Sequence, residues 1–313
     1  MRLLTAAGTA GSPDALPAPA WLPAWIRARV TSGPSGERAA PSRVDPRVYQ
    51  ITVLALLLGY GLARLDLEIP PGQAVAILGT ALLAQLVAGR LAGLPRFDPL
   101  SASISGLSLC LLLRTGEPWL APVAALVAVG SKFLLRIRGK HVFNPTNFAL
   151  VLLMLVTGQV WVSPGQWGSL AVFAFLLASA GGLVVNRAAR ADVTWTFLAC
   201  HAALLFGRAW WLGDPLAIFF HRLESGALVL FAFFMLSDPR TTPDSRAGRM
   251  LFAALVAAGG HVAQVAWYRS DGLLWALALA SLAVPLIDRW LPGPRYHWRP
   301  TPGPRAGRER EKP

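Results

Sequence analysis

The chain is short of charge, of acid above all, and of cysteine. Only 14% of its 313 residues are charged, against roughly a quarter in soluble globular domains. Sixteen Asp and Glu face 29 Lys and Arg, which leaves a net charge of +13. The two cysteines, Cys110 and Cys200, cannot form a disulfide framework or supply all the ligands of an iron–sulfur cluster. Both lie in apolar segments, where the role of small filler outweighs a redox role. The sequence holds no phosphate loop, no zinc-ligand spacing and no nucleophile elbow, so the common self-contained catalytic arrays are excluded. Period-two alternation of apolar and polar residues is absent as well.

What is present is apolar residues, 54% of the total, gathered in long blocks. The clearest run over Gln50 to Leu62, Ala74 to Leu91, Trp119 to Leu135, Phe148 to Val156, Leu170 to Val185, Val193 to Leu212, Ala227 to Leu236, Met250 to Val265 and Leu273 to Ile287. A bilayer core of about 30 Å takes roughly 20 helical residues, so such blocks read as membrane spans. Spans are expected near 48–64, 71–89, 99–113, 119–136, 144–160, 168–186, 193–213, 224–237, 247–268 and 271–290. Connections between them are short. The expected fold class is an all-α integral membrane protein of about ten transmembrane helices. Residues 1–45 and 292–313, rich in Pro, Gly, Ala and Arg, read as disordered cytoplasmic tails around a membrane domain at 46–291. Trp21, Leu22, Trp25 and Ile26, followed by Arg27 and Arg29, suit a short surface-lying helix.

The basic residues orient this map. Connections numbered alternately from a cytoplasmic start place 24 of the 29 Lys and Arg inside, and only Arg64, Arg114, Arg208, Arg222 and Arg269 outside. The positive-inside rule then puts both termini in the cytoplasm, for a multi-pass protein of a bacterial-type inner membrane. Attraction to anionic lipid accounts for the basic tails, and nucleic acid is not an expected partner. Eight Trp, among them Trp119, Trp161, Trp210, Trp211 and Trp290, fall near span ends, where indole prefers the headgroup level.

The third and eighth spans are too short to cross in full at about 1.5 Å per residue. Each opens on a Ser-Gly pair, Ser105-Gly106 and Ser225-Gly226, and each is the third member of a set of five. With five spans per half the two must run in opposite directions, the pattern of a 5+5 inverted repeat. Short, Gly-interrupted segments in matching positions point to a binding site between the halves. The blander alternative is that these glycines only allow close helix packing.

Two connections carry polar chemistry. Lys132, Lys140 and His141 precede Asn144-Pro145-Thr146-Asn147. Asn144 suits an N-cap and Pro145 a first helical position, so a plain helix start explains the pair. A ligand reading is that this helix start beside Lys132 favours an anionic or carbonyl-bearing group. The second connection, Ser237-Asp238-Pro239-Arg240-Thr241-Thr242-Pro243, ends the eighth span in a hydroxyl-rich turn. His201 and His261 fall mid-span and suit paired haem ligands, although hydrogen bonds to neighbouring helices are the favoured account.

Ser225-Gly226-Ala227, then Phe231 to Pro239, Thr241-Thr242-Pro243, Gly248-Arg249, Asp271-Gly272 and Val284 to Asp288 closely resemble the RnfD/NqrB family. Its members are membrane subunits of Rnf-type electron transport complexes and of the sodium-translocating NADH:quinone reductase. Ser101 to Leu113, Lys132 and Phe143-Asn144-Pro145 agree in the first half, so the resemblance covers roughly residues 46–297. It implies a ten-span inverted repeat and a membrane arm carrying electrons through flavins, with quinone or another subunit as neighbour. The family holds FMN through a phosphoester to a Thr in a long outer loop between the fifth and sixth spans. Here that connection is only about Gly158 to Trp167 and lacks the motif, so covalent FMN is not expected. Leu228 stands where relatives often have a second such Thr.

Three functions remain open. The preferred one is a membrane electron-transfer subunit with a non-covalent flavin (riboflavin or FMN) or quinone between the two short helices. Ser105, Gly106, Ser225 and Gly226 shape its site, and Lys132, Asn144, Asn147, Asp238, Thr241 and Thr242 supply polar contacts at the cytoplasmic rim. Other electron-transport subunits and membrane lipid are its expected partners, and no metal ligands are assigned. The others are a small-solute or ion transporter on the same fold and a cofactor-free accessory membrane protein.

Overall fold

The computed structural model describes residues 45–64, 69–162 and 190–296. The expected sixth span, most of both tails and the suggested surface helix at Trp21 lie outside these residues.

The described chain is almost entirely helical. Its first part holds α1 (Pro46–Arg64), α2 (Pro71–Leu91), α3 (Pro99–Leu112), α4 (Leu120–Leu134) and α5 (Pro145–Thr157). Its second part holds α6 (Ala191–Leu212), α7 (Leu216–Leu223), α8 (Gly226–Leu230), α9 (Arg246–Ala266) and α10 (Gly272–Trp290). α8 continues as a π-helical turn over Phe231–Met235. Two small antiparallel pairs complete the set. β1 (Arg114–Thr115) pairs with β4 (Val160–Trp161), and β2 (Arg136–Ile137) with β3 (Lys140–His141).

Local chemistry sets several boundaries. Pro71, Pro99 and Pro145 occupy first helical positions, where a missing N–H costs nothing. The buried Arg114 guanidinium donates to the carbonyls of Leu113, Cys110 and Leu111, which satisfies the C-terminal end of α3. α4 and α5 stop short of the expected 119–136 and 144–160. The β2–β3 hairpin and the β1–β4 pair take up the residues at their ends.

By length and composition α2, α9 and α10 are each able to cross a membrane. The α7 and α8–π pair, bent by 47° at its break, would make a fourth. α3, α4 and α5 are apolar but have only 14, 15 and 13 residues, about 20 Å of rise each. The protein is a multi-pass helical membrane protein with broad lipid-compatible faces. Trp119, Trp161, Trp210, Trp211, Trp267 and Trp290 are all exposed.

Packing follows the same order in both parts. α2 lies against α4 and α4 against α5, while α6 lies against α9 and α9 against α10. The α2 contact face is the helical stripe Ala74, Ile77, Ala81 and Gln85. Glycines allow the closest approach. A Cβ at Gly106 would meet Leu78 of α2 at 2.9 Å, and one at Gly272 would meet Ala263 of α9 at 2.8 Å. Small residues at crossings are the usual means of helix association in lipid.

Among the described residues all the ion pairs but Arg269–Asp271 gather at one end of the molecule. Arg47 bridges Asp45 and Asp98, Arg249 pairs with Asp192, and Lys140 reaches Asp244 at 3.0 Å and Asp288 at 2.8 Å. The Lys140 contacts tie the β2–β3 hairpin of the first part to the second. Asn147 Nδ2 adds another tie, donating to Leu274 O at 3.1 Å.

Candidate functional site

A cavity of about 280 Å³ opens at this basic end. α3 lines it with Ser101, Ile104, Ser105 and Ser108, and the π-turn with Phe233, Phe234 and Met235. Gln85 of α2, Lys132 of α4, and Asn144 and His141 before α5 complete the interior. Asp98, Arg136, Asp238 and Arg240 stand around it. π-turns inside α-helices recur at functional sites because they re-aim side chains and loosen the backbone ladder.

Lys132 is 4% exposed. Its Nζ donates to Ser101 O at 2.7 Å and Ser101 Oγ at 3.1 Å, which accounts for two of its three protons. Among the described residues no carboxylate lies within 4 Å of it. Gln85, 6% exposed, leaves Oε1 without a hydrogen-bond partner among the described residues. A buried polar atom with no partner costs roughly 1–3 kcal/mol, so an orphan of this kind needs an explanation.

Asn144 is the N-cap of α5: its Oδ1 accepts from Asn147 N at 3.1 Å. Its Nδ2 reaches Met235 O at 3.3 Å and Asp238 Oδ2 at 3.5 Å. Asp238 accepts from the Arg240 backbone N–H at 3.0 Å. Burial pushes the Asp238 carboxyl above its ordinary value, while that N–H and the charges of Arg240, Lys132 and Arg190 pull it back. His141 is pushed down to about 3, first by burial and then by Arg240, Arg136 and Lys132. The cavity is therefore a place of positive potential.

The structure gathers four of the residues singled out by sequence: Ser105, Lys132, Asn144 and Asp238 line the cavity. The other six do not. Gly106 faces Leu78, as a packing glycine would. Asn147 caps and bridges helices. Ser225 and Gly226 open α8 away from the cavity lining. The Thr241 hydroxyl donates to Asp238 O at 3.3 Å, and Thr242 is fully buried with its hydroxyl unpartnered. Gln85, Ser101, Ser108 and the aromatic face of the π-turn are site residues that sequence reasoning misses. A lone amide in an apolar span is the available signal for Gln85.

His201 is buried and stacks on Phe197, with ring centroids 5.5 Å apart. Among the described residues no three or more His, Cys, Asp or Glu side chains gather as a metal site. Cys110 and Cys200 are free thiols.

Residues 155–296 match the NQR2, RnfD, RnfE family. Over this stretch, the chain is similar to that family. The match takes in α6 to α10, the π-turn and the Ser237–Pro243 loop. The agreements at Ser101–Leu113, Lys132 and Phe143–Pro145 lie outside it. One similar protein is the D-type subunit of an ion-translocating oxidoreductase complex from Escherichia coli O1:K1 / APEC, 36% identical over 150 residues. Another, of the same description, from Escherichia coli strain K12 / DH10B, is 34% identical over 148 residues. Each alignment covers 47% of this chain and 37% of the relative, so the chain matches well under half the length of these family members.

Proposed function

We propose that this protein is a membrane subunit of an Rnf/NQR-like electron-transport complex in a bacterial-type inner membrane. Its cavity between α3 and the π-turn takes the ring of a non-covalent flavin or quinone. The observation that carries this reading is Lys132, held among the described residues by Ser101 alone, together with Gln85 Oε1, which has no partner among them, in a cavity walled by Phe233 and Phe234. An aromatic face suits a planar ring. A donor from Lys132 and an acceptor from Gln85 suit the polar edge of a heterocycle. A cavity of about 280 Å³ is just below the usual range of roughly 300–1,000 Å³ for ligand pockets, so it fits a ring whose remainder projects outward.

Such a group supplies the electron chemistry, and the protein supplies position and field. Lys132 places a positive charge where the ring gains negative charge on reduction. Phe233 and Phe234 exclude water from its face, and Ser105 and Ser108 offer hydroxyls along its edge.

The fold that holds this site is best read as ten spans in a 5+5 inverted repeat with both termini cytoplasmic. The matched packing of α2–α4–α5 and α6–α9–α10 supports the repeat, and the basic end supports the orientation. Other electron-transport subunits are the expected partners. Transport of a small solute on the same fold is the second reading, favoured by the 47° break between α7 and α8.

The test is to isolate the full chain with its partners in mild detergent and record its absorbance and extracted cofactors. Flavin or quinone at near-stoichiometric yield is expected. Protein free of flavin, quinone and haem overturns this reading, and uptake by proteoliposomes without an electron donor favours the second.

A further inference from the structure

The cavity carries more positive charge than its neighbourhood balances. Four cations line it: Arg47, Lys132, Arg136 and Arg240. Two carboxylates, Asp98 and Asp238, line it with them. Arg47 and Asp98 are bonded to each other at 2.7 Å and cancel. Asp238 is occupied by the Arg240 backbone N–H and the Asn144 amide.

The other three cations have no ion-pair partner within 4 Å among the described residues. Among the described residues Lys132 bonds only to Ser101. Arg136 uses its Nε on the Lys132 carbonyl and lays its guanidinium over the Phe133 ring at 5.2 Å, and its terminal nitrogens engage none of the described residues. The Arg240 side chain donates to no described residue. The part-buried cations Lys140 and Arg249 at this end differ. Lys140 has two carboxylates, and Arg249 is bonded to Asp192 through two of its nitrogens. For these two the fold supplies a counter-charge. A buried, unpaired ammonium costs several kcal/mol. The fold keeps one beside a cavity and places two arginines at the mouth.

We propose that the mouth of this cavity is an anion subsite in which Arg136 and Arg240, backed by Lys132, take a phosphate-type group. Arginine forks bind phosphate oxygens in pairs, whereas a buried ammonium acts as a point charge. Gln85 Oε1, deeper in the same cavity, accepts an N–H or O–H from the uncharged part of the ligand. The ligand class is a phosphate ester with a donor-bearing body, and either a soluble cofactor or a lipid headgroup provides it. The inference rests on the reading of the cavity as a ligand site, but not on the ligand being a redox group.

The experiment uses the full chain in lipid-free detergent micelles at constant ionic strength. Inorganic phosphate should raise the melting temperature of the wild type, and the effect should vanish in the Arg136→Gln/Arg240→Gln double variant. Arg240→Gln alone, at an exposed position outside the helices, keeps the test valid if the double variant fails to fold, and should weaken the effect. FMN and riboflavin, which differ only by the phosphate, are then titrated separately by fluorescence. FMN should bind at least about tenfold tighter, the increment of charge-assisted hydrogen bonds, and the two should become equal in the variants. Repetition in nanodiscs with phosphatidylglycerol separates the sources. Loss of the phosphate effect there assigns the subsite to a lipid headgroup, and persistence assigns it to a soluble phosphate ester. A wild type indifferent to phosphate, or variants that keep the full response, overturns the subsite. If both flavins bind equally and phosphate has no effect, the subsite falls while the redox reading stands. If phosphate acts but neither flavin binds, the subsite stands and the flavin form of the redox reading falls.

Discussion

α3 and the α8–π segment are two short helical stretches, and both border the cavity. They meet it with opposite chemistry. α3 is regular α-helix over 14 residues and offers serines, with Ser101, Ser105 and Ser108 on one cavity-facing stripe at spacings of four and three. The α8–π segment abandons the α ladder after Leu230 and offers Phe233, Phe234 and Met235. A π-turn holds an extra residue per turn, so consecutive bulky side chains crowd one side. One stretch therefore supplies a hydroxyl edge and the other an aromatic face. Under the proposed repeat, equivalent places need not keep equivalent chemistry: what they share is backbone close to the site.

The contrast can be broken from either side. Phe233 is fully buried, in edge contact with Trp195 at 6.0 Å. Phe233→Ala should cost about 3 kcal/mol in detergent unfolding, because the void it leaves loses packing that lipid cannot restore. The same variant should loosen ring binding. A cost near zero would mean that the π-turn is not a packed wall.

On the α3 side, Gly106→Val should cost roughly 1–3 kcal/mol by overpacking against Leu78 and Ala81. It should leave cavity binding nearly intact, since Gly106 faces away. Loss of binding without loss of stability would return Gly106 to the site.

Acid should expose a smaller effect at the rim. His141 has its proton affinity pushed from the ordinary 6.5 down to about 3 in the folded chain. The unfolded chain then binds more protons between these values, so stability rises with pH from about 3 to 6.5 and is lost as pH falls. His141→Gln should flatten that part of the stability profile; an unchanged slope would show that the imidazole is not held neutral. The smallest effect is expected from Ser108→Ala. Stability should move by less than about 0.5 kcal/mol, the scale of a substitution that opens no large void and strands no buried partner, and ring affinity only a few-fold. A larger loss of stability would make the serine stripe part of the frame.

Much of this architecture is legible in the sequence, and its limits are specific. Long apolar blocks become helices because apolar length is what a bilayer demands. The ends of α4 and α5 escape, since two-residue strands such as Arg136–Ile137 have no period to read. α7 escapes too, although Leu216, Ile218, Phe219 and Phe220 with His221 and Arg222 form a readable amphipathic turn after Pro215. The π-turn leaves no trace in composition, because it is a slip of backbone register. At the site, charged and capping residues are legible: Lys132, Asn144 and Asp238 stand out against apolar surroundings. Ser225 and Gly226 illustrate the reverse, a pair notable in sequence that sits at a helix start outside the cavity lining.

The Lys140 contacts have a mechanical consequence. One ammonium fastens a hairpin of the first part to two carboxylates of the second, and the Asp244 backbone N–H holds Asp288 at 2.8 Å as well. A rocking transporter would have to tear this clasp open on every cycle and leave two acids facing each other. An electron relay asks for the opposite, a gap between donor and acceptor that never changes width. The clasp ties the two parts together, which accords with the proposed electron relay better than with rocking.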